Sequence, residues 1–490
     1  MNFRISILSV LGVLFAGSAA ALPERPNIVW IVVEDMSVHF SCYGEKTIET
    51  PNVDGLAAQG ALFESAFVTC PVCSPARSAM ITGMYQTSIG AHQHRSGRGE
   101  LRLHLPDRVR TIPDFFKEAG YFVTNAAQKP NPRRPDAIGK TDYNFETADD
   151  LYHGNDWTQR AEGQPFFAQY QLAGGKNRNV RSGQQLPANL LPSAADVTLP
   201  PYYPDDAVIR EDWADYLASV QKTDAEVGEI LALLEAQGVA DSTVVIFLTD
   251  HGVSHARGKQ FLYEEGIRVP LIIRAPGAVE AGVRRSDLAA HIDIAATSLM
   301  FAGIEIPDYL EARPLFGDQA APRDFVVSAR DRCDETMDRI RSVRTDRFKY
   351  IRNFHPDRPH LQPNAYKDNK PVYLRIRELH AAGELTGLPE QLLMAPTRPI
   401  EELYDLDADP WETKNLARDP AFRGQLREHR RILEKWIVSS QDAGQNAESM
   451  EGYNSDMAEY LRGLKAKRPE RLAEITANIA LQKKWIAEGK

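Results

Sequence analysis

The chain has 490 residues, more than one hydrophobic core usually serves, so a large domain with a smaller companion is the expected organisation. A composition of 43% hydrophobic and 25% charged residues is that of an ordinary globular protein and excludes disorder. The formal charge of −10 repels polyanions on average, which excludes nucleic-acid binding through a basic surface and requires any anionic ligand to meet a local basic pocket.

The first predicted element is a signal peptide over residues 1–21. Arg4 forms its charged region, Ile5 to Ala16 is apolar but short for a membrane span, and Ala19-Ala20-Ala21 offers a cleavage site. Export to the periplasm or medium follows, with no membrane attachment after cleavage. Four cysteines in so long an exported chain do not make a disulfide framework.

Short β-branched runs then alternate with helical stretches. "NIVWIVV" (Asn27–Val33), "YFVTNA" (Tyr121–Ala126), "PFFAQYQLA" (Pro165–Ala173), "TVVIFLTD" (Thr243–Asp250) and "VPLIIRAP" (Val269–Pro276) read as strands buried on both faces. Between the third and fourth, Trp213, Tyr216, Leu217, Val220, Val227, Ile230, Leu231 and Leu234 recur at helical spacing, and Gly238 ends the run. Alternation of this kind predicts an α/β fold with a mainly parallel sheet covered on both sides. After about residue 320 the pattern becomes that of a smaller antiparallel sheet, with "FRGQLREHRRILEKWIVSSQ" as an amphipathic helix over one face. The expected divisions are 22–320, 321–440 and a charged helical tail over 441–490.

Two predicted strands end in acid-rich pairs, Glu34-Asp35 and Asp250-His251, and ligands of open α/β sheets gather at the carboxyl ends of strands. Three carboxylates and an imidazole at one edge repel unless a cation sits among them, and oxygen ligands favour Ca2+ or Mg2+. Each acid alone has the simpler reading of a helix or turn cap. "VTCPVCSPARSAMITG" (Val68–Gly83) holds a C-x-x-C pair. A redox role wants a thioredoxin-sized unit, and a zinc clip wants a second pair, whereas Cys42 and Cys333 stand apart. The stretch reads instead as the start of a helix, with Ser74 as N-cap and Pro75 at the first position. Such an N-terminus is an anion site, to which Arg77 adds a guanidinium.

Cys73-Ser74-Pro75-Ala76-Arg77, followed by Thr82-Gly83, resembles the C-x-P-x-R-x-x-x-x-T-G signature of the sulfatase family. "PNIVWIVVEDM" resembles its opening strand and metal pair, with Glu34 where Asp is usual. "FLTDHG" resembles its second metal pair, "GKQFLYEEGIRVPLIIRAPG" its lysine-bearing segment, and "EELYDLDADPWETKNLA" its C-terminal signature. The "KTDYNF" run (Lys140–Phe145) is similar to the branch containing N-sulfoglucosamine sulfohydrolase.

The resemblance implies an alkaline-phosphatase-like α/β/α sandwich with a smaller C-terminal antiparallel sheet subdomain. It implies that a maturation enzyme oxidises Cys73 to formylglycine, whose hydrate attacks the sulfur of a sulfated saccharide. Cys73 joins Glu34, Asp35, Asp250 and His251 around Ca2+, with Mg2+ as the alternative, while Arg77 and Lys259 offset the sulfate charge. Lys140 is preferred over Lys129 as the second lysine on the sulfate side. The family's Pro-His after the "PFF" strand is replaced by Gly174-Gly175-Lys176, leaving Lys176 or His255 as donor to the leaving group. His92 and His94, with Arg95 and Arg98, and Arg332 with Asp331 and Asp334, are candidates to line the saccharide pocket, or else surface polar residues. A phosphonate or phosphate ester hydrolase of the same superfamily and a non-catalytic glycan-binding relative are the competing readings.

Overall fold

The computed structural model describes residues 22–127 and 134–490. The expected signal peptide and Lys129 lie outside the described residues. Thirteen strands are formed among them, namely β1 (Asn27–Val33), β2 (Ala61–Phe63), β3 (Ala66–Phe67), β4 (Phe122–Ala127), β5 (Phe166–Leu172), β6 (Thr243–Thr249), β7 (Leu271–Arg274), β8 (Val283–Arg285), β9 (Ala289–Ala290), β10 (Val326–Arg330), β11 (Ile340–Arg344), β12 (Phe348–Asn353) and β13 (Glu401–Asp405).

The main sheet has the order β4-β5-β1-β6-β7-β2-β8. β4, β5, β1 and β6 are mutually parallel, with Val33 level with both Leu172 and Thr249, and all seven residues of β1 and of β6 are buried. Burial on both faces is what an uninterrupted apolar strand requires, because no face is left for water. β7 alone runs against its neighbours. The physical reason lies in the segment between β6 and β7, which carries Lys259 and folds at the carboxyl edge without a helix long enough to cross the sheet.

Helices cover both faces. On one side Pro51–Ala58 packs on the long helix Ala207–Ala236, and on the other Cys73–Thr82, Ile112–Glu118 and Asp293–Phe301 pack together. The long helix opens on Asp206, whose carboxylate accepts from the Val208 amide, and closes before Gly238, whose φ of 65° suits a residue without Cβ. Its expected apolar face, from Trp213 to Leu234, is largely buried.

The second sheet, β10-β11-β12-β13, is antiparallel throughout. The helix Arg423–Ser439 covers it through Leu426, Leu433 and Trp436. The sheet is bound to the main body where Ala329 N–H donates to Thr69 O and Ser328 Oγ to Val68 O, and the apolar core runs continuously through both sheets. Two last helices, Met450–Lys467 and Leu472–Ala487, bury Tyr453, Met457, Ile475 and Ile479 around Ala365. No described helix is long and apolar enough to cross a membrane. The result is an α/β sandwich with a mainly parallel central sheet and a smaller C-terminal antiparallel sheet, the alkaline-phosphatase-like arrangement.

Candidate active site

β5, β1 and β6 are adjacent and parallel, so the residues following them meet at one edge: Gly174-Gly175-Lys176, Glu34-Asp35 and Asp250-His251. Asp35 sits at φ 56°, and a Cβ on Gly175 would stand 2.1 Å from its carbonyl oxygen. A Cβ on Gly174 would stand 2.2 Å from Glu34 O. The double glycine is therefore required by the close approach of two backbones, and it delivers Lys176 to the acid pair.

The helix Cys73–Thr82 aims its N-terminus at this edge. Here the sequence expectation is corrected: Val72, not Ser74, is the N-cap, and Ser74 Oγ instead accepts the Arg95 amide at 2.8 Å. Pro75 consequently stands at the third helical position, where its missing N–H costs nothing because the first helical amides have no internal acceptor. Cys70 is packed with Val72, Ala76 and Cys333, and all four cysteines are free.

Cys73 Sγ lies 3.2 Å from His251 Nε2, 3.1 Å from Lys259 Nζ, 3.8 Å from Lys176 Nζ and 4.0 Å from Asp35 Oδ1. Burial pushes its thiol pKa up, the facing lysines only partly offsetting the effect. His251 Nδ1 lies 2.9 Å from Gly252 O and donates to it, which turns Nε2 as a lone pair toward Asp35 Oδ1 at 3.3 Å and Asp250 Oδ1 at 3.5 Å. Burial lowers this imidazole to about 4, so it is neutral and able to ligate. Asp35 is pushed up by burial but drawn down further by Lys259 and His251, to about 2.

The donor set fits a hard divalent cation. Side-chain ligand atoms of Asp35, Cys73 and His251, and of Glu34, Cys73 and Asp250, lie within 4.8 Å of one another in each trio. Three buried carboxylates supply the oxygens such an ion prefers.

Cationic groups ring the same point. Arg77 Nε donates to Asp250 Oδ2 at 3.0 Å and Nη1 to Gln171 Oε1 at 2.6 Å, while Nη2 is buried with no partner among the described residues. Lys140 Nζ is 2.6 Å from Glu34 Oε2 and 3.3 Å from Asp142, and Lys176 also contacts Glu34. Lys259 stands in a loop held by two residues at positive φ, Arg257 and Gln260, and the Gln260 amide ties it to Pro71 O. Strain of this kind gathers where side-chain aim matters.

The other expected residues separate. His94 has Nδ1 3.1 Å from Asp334 Oδ1, its Nε2 is unpartnered, and one ring nitrogen is within 4.8 Å of Cys73. His92 lines a different cavity, beside Gly90 and Ser96. Arg332 is engaged by Glu448, Asp456 and two carbonyls, so its guanidinium braces the start of the helix Met450–Lys467. His255 is bonded to Asp212, stacked on Trp213 at 5.0 Å and touched by Arg178, with no contact to Cys73. Sequence reasoning missed Tyr366, whose hydroxyl donates to Asp35 Oδ2 at 2.9 Å, Asp142, which pairs with Lys140, and Gln171, which accepts from Arg77. Only Asp142 carried a signal, its place two residues after Lys140.

A sulfatase family model matches residues 26–304, and a model of the C-terminal part of N-sulphoglucosamine sulphohydrolase matches residues 251–362. An ulvan-active sulfatase of Formosa agariphila is 31% identical over 473 residues, covering 87% of this chain and 77% of its own. The human N-sulphoglucosamine sulphohydrolase is 27% identical, covering 88% and 93%. Among solved structures, a 2-O GAG sulfatase superposes with a TM-score of 0.61 at 20% identity over 88% of this chain and 96% of that one. With more than half its length inside the family model and the signature cysteine at the head of its helix, this chain belongs to the sulfatase family of hydrolases.

Proposed function

We propose that this protein is an exported sulfatase acting on sulfated saccharides, with residues 22–320 carrying the chemistry. The observation that carries this reading is the buried, unpartnered Nη2 of Arg77 beside Cys73, Lys259 and three carboxylates. An orphaned guanidinium nitrogen in a dry site costs free energy unless an anionic ligand accepts from it. The substrate class is supported by the relatives, one acting on ulvan and one named for an N-sulfated glucosamine.

Matured to formylglycine, position 73 would supply the hydrated aldehyde that attacks sulfur, and a divalent cation, Ca2+ or Mg2+, would acidify that hydroxyl and polarise the sulfate. Glu34, Asp35, Asp250 and His251 would hold the ion, with residue 73 completing the set. Arg77, Lys140 and Lys259 bind the sulfate oxygens and offset the charge that builds as the ester bond breaks. Lys176, 3.8 Å from Cys73 Sγ, donates the proton to the departing sugar oxygen. It is favoured over His255, whose ring is committed to Asp212 and Trp213.

Peptide mass spectrometry across residue 73, on protein made with a formylglycine-generating enzyme, tests the maturation directly. The expected product is the aldehyde at Cys73, with turnover of sulfate esters exceeding that of matched phosphate and phosphonate esters. Preferred hydrolysis of phosphonates makes the protein a phosphonate hydrolase. Matured protein without turnover of any ester makes it a binder.

A further inference from the structure

A cavity of about 810 Å³ is lined on its inner side by Lys176 and His94, both neighbours of Cys73, and is bounded by the loop His94–Arg98, the loop Tyr366–Lys370 and the second half of the helix Met450–Lys467. Its volume far exceeds one sulfate group and falls within the range of sites for whole small ligands. In a chain of net charge −10 its lining holds nine Lys and Arg residues against three acids. All three acids are already engaged: Asp334 with His94 and Arg95, Asp456 with Arg332, and Glu459 with Arg462.

The far wall comes from the C-terminal helical segment, beyond the residues matched by either family model. Arg332 grips Asp456 with Nη2 at 2.6 Å, and Arg471 reaches Ala365 O, so the segment is pinned at both ends across the cavity. Between these anchors Lys467 and Arg468 line the cavity with no acidic partner among the described residues. Asp456 and Lys467 are separated by eleven residues of helix, about 16 Å at the usual rise, so these two charges stand well away from the anchor beside His94. Arg77, Lys140 and Lys259 already account for the scissile sulfate. The outer pair is surplus to it.

We propose that Lys467 and Arg468 bind a second anionic group of the saccharide, a carboxylate or a further sulfate, while the first sulfate is cleaved. This rests on the sulfatase reading above. The C-terminal tail thereby selects polyanionic over singly charged substrates, and unpaired cations in a concave site provide the field to do so.

The test uses the matured full-length chain and four substrates: an aryl sulfate, a monosulfated neutral disaccharide, and matched disaccharides carrying in addition a carboxylate or a second sulfate. The wild type should prefer at least one dianionic disaccharide over the neutral one in kcat/KM. The double variant Lys467→Ala/Arg468→Ala should lose about tenfold of that preference, mainly through KM, because the pair acts on bound substrate away from the reacting atoms. Lys465→Ala, on the same helix but outside the cavity, should leave the preference where it is. The arm that responds identifies the group as carboxylate or sulfate. No dianionic preference in the wild type, or equal losses on neutral and dianionic disaccharides, overturns the inference while the sulfatase reading stands. Failure of matured wild type on all four substrates overturns the sulfatase reading itself.

Discussion

Arg77 Nε donates to Asp250 Oδ2 at 3.0 Å, and neither side chain reaches solvent. The guanidinium thus holds a carboxylate of the acid edge through Nε and keeps Nη2 without a partner, available to the sulfate of the proposed mechanism. Arg77→Ala should lower kcat by about a hundredfold to a thousandfold, the usual effect of removing one donor to a developing charge. It should also destabilise the metal-free fold by about 3 kcal/mol, since Asp250 Oδ2 loses its guanidinium partner in a buried site and keeps only the Asp35 amide on Oδ1. Arg77→Lys should recover much of the stability but little of the rate, because an ammonium cannot span Asp250, Gln171 and a sulfate at once. Steady-state kinetics and thermal unfolding on the same samples separate the two losses.

Removal of divalent cation should silence the enzyme. After chelation and desalting, activity should vanish and return with Ca2+. The melting temperature should rise with added Ca2+, reflecting a stabilisation of about 2.7 kcal/mol at a hundred times the dissociation constant. Asp250→Asn should demand more Ca2+ for half-maximal activity. Full activity in excess chelator removes the ion from the scheme.

The proposed mechanism gives Lys176 to the leaving group rather than the sulfate. Lys176→Ala should therefore slow the cleavage of saccharide sulfates, whose alcohols depart poorly, by about a hundredfold or more, while a nitrophenyl sulfate, which needs no proton, suffers far less. Equal losses on both move Lys176 to the sulfate-binding side.

Gly175 has no room for a methyl group beside Asp35 O at 2.1 Å. Gly175→Ala should displace the acid pair and lower both metal affinity and melting temperature. Gly55, inside the helix Pro51–Ala58 with nothing within 4 Å of its would-be Cβ, is the control. Gly55→Ala should stabilise by about 0.5–1 kcal/mol. Calcium titration and thermal unfolding of both variants check the contrast.

Glu335 lies under the C-terminal helices, accepting from the Ala365 amide at 2.6 Å and from Asn478 at 2.9 Å through one oxygen while the other has no partner. Burial, with Asp334 adjoining, raises its pKa from the usual 4.5 to about 7. The folded state then binds more protons than the unfolded one between those values, so this group makes stability fall as pH rises from about 4.5 to about 7. Glu335→Gln should be nearly neutral at pH 5 and increasingly stabilising relative to wild type toward pH 8. Melting temperatures across that range decide it, and a constant difference rejects the assignment.

The apolar runs that became β1, β5 and β6, and the acids that end them, were legible because burial on both faces leaves a continuous hydrophobic signature and chain direction fixes which end bears the ligands. Cys73, Arg77, Asp250 and Lys259 were found through the order of four short motifs. β2 and β8 were not foreseen, because strands of three residues carry no period; β7 was legible as the run Val269–Pro276, but its reversed direction was not, since that depends on where the preceding loop turns back.

The placement of Ser74 shows the limit at one residue. It has the chemistry of an N-cap, but Arg95, 21 positions away in sequence, takes its oxygen and the helix starts one residue earlier. His92 and His94 are indistinguishable by composition, yet Asp334 turns one into the main cavity while the other faces a separate cavity. Tyr366 reaches Asp35 across 331 residues. Local pattern determined which elements form, which edge bears the chemistry and which cysteine heads the helix, since those follow from burial and short-range geometry. Tertiary structure alone decided which charges are consumed by partners and which remain free for a ligand, because pairing is settled by contacts between segments that the sequence holds far apart.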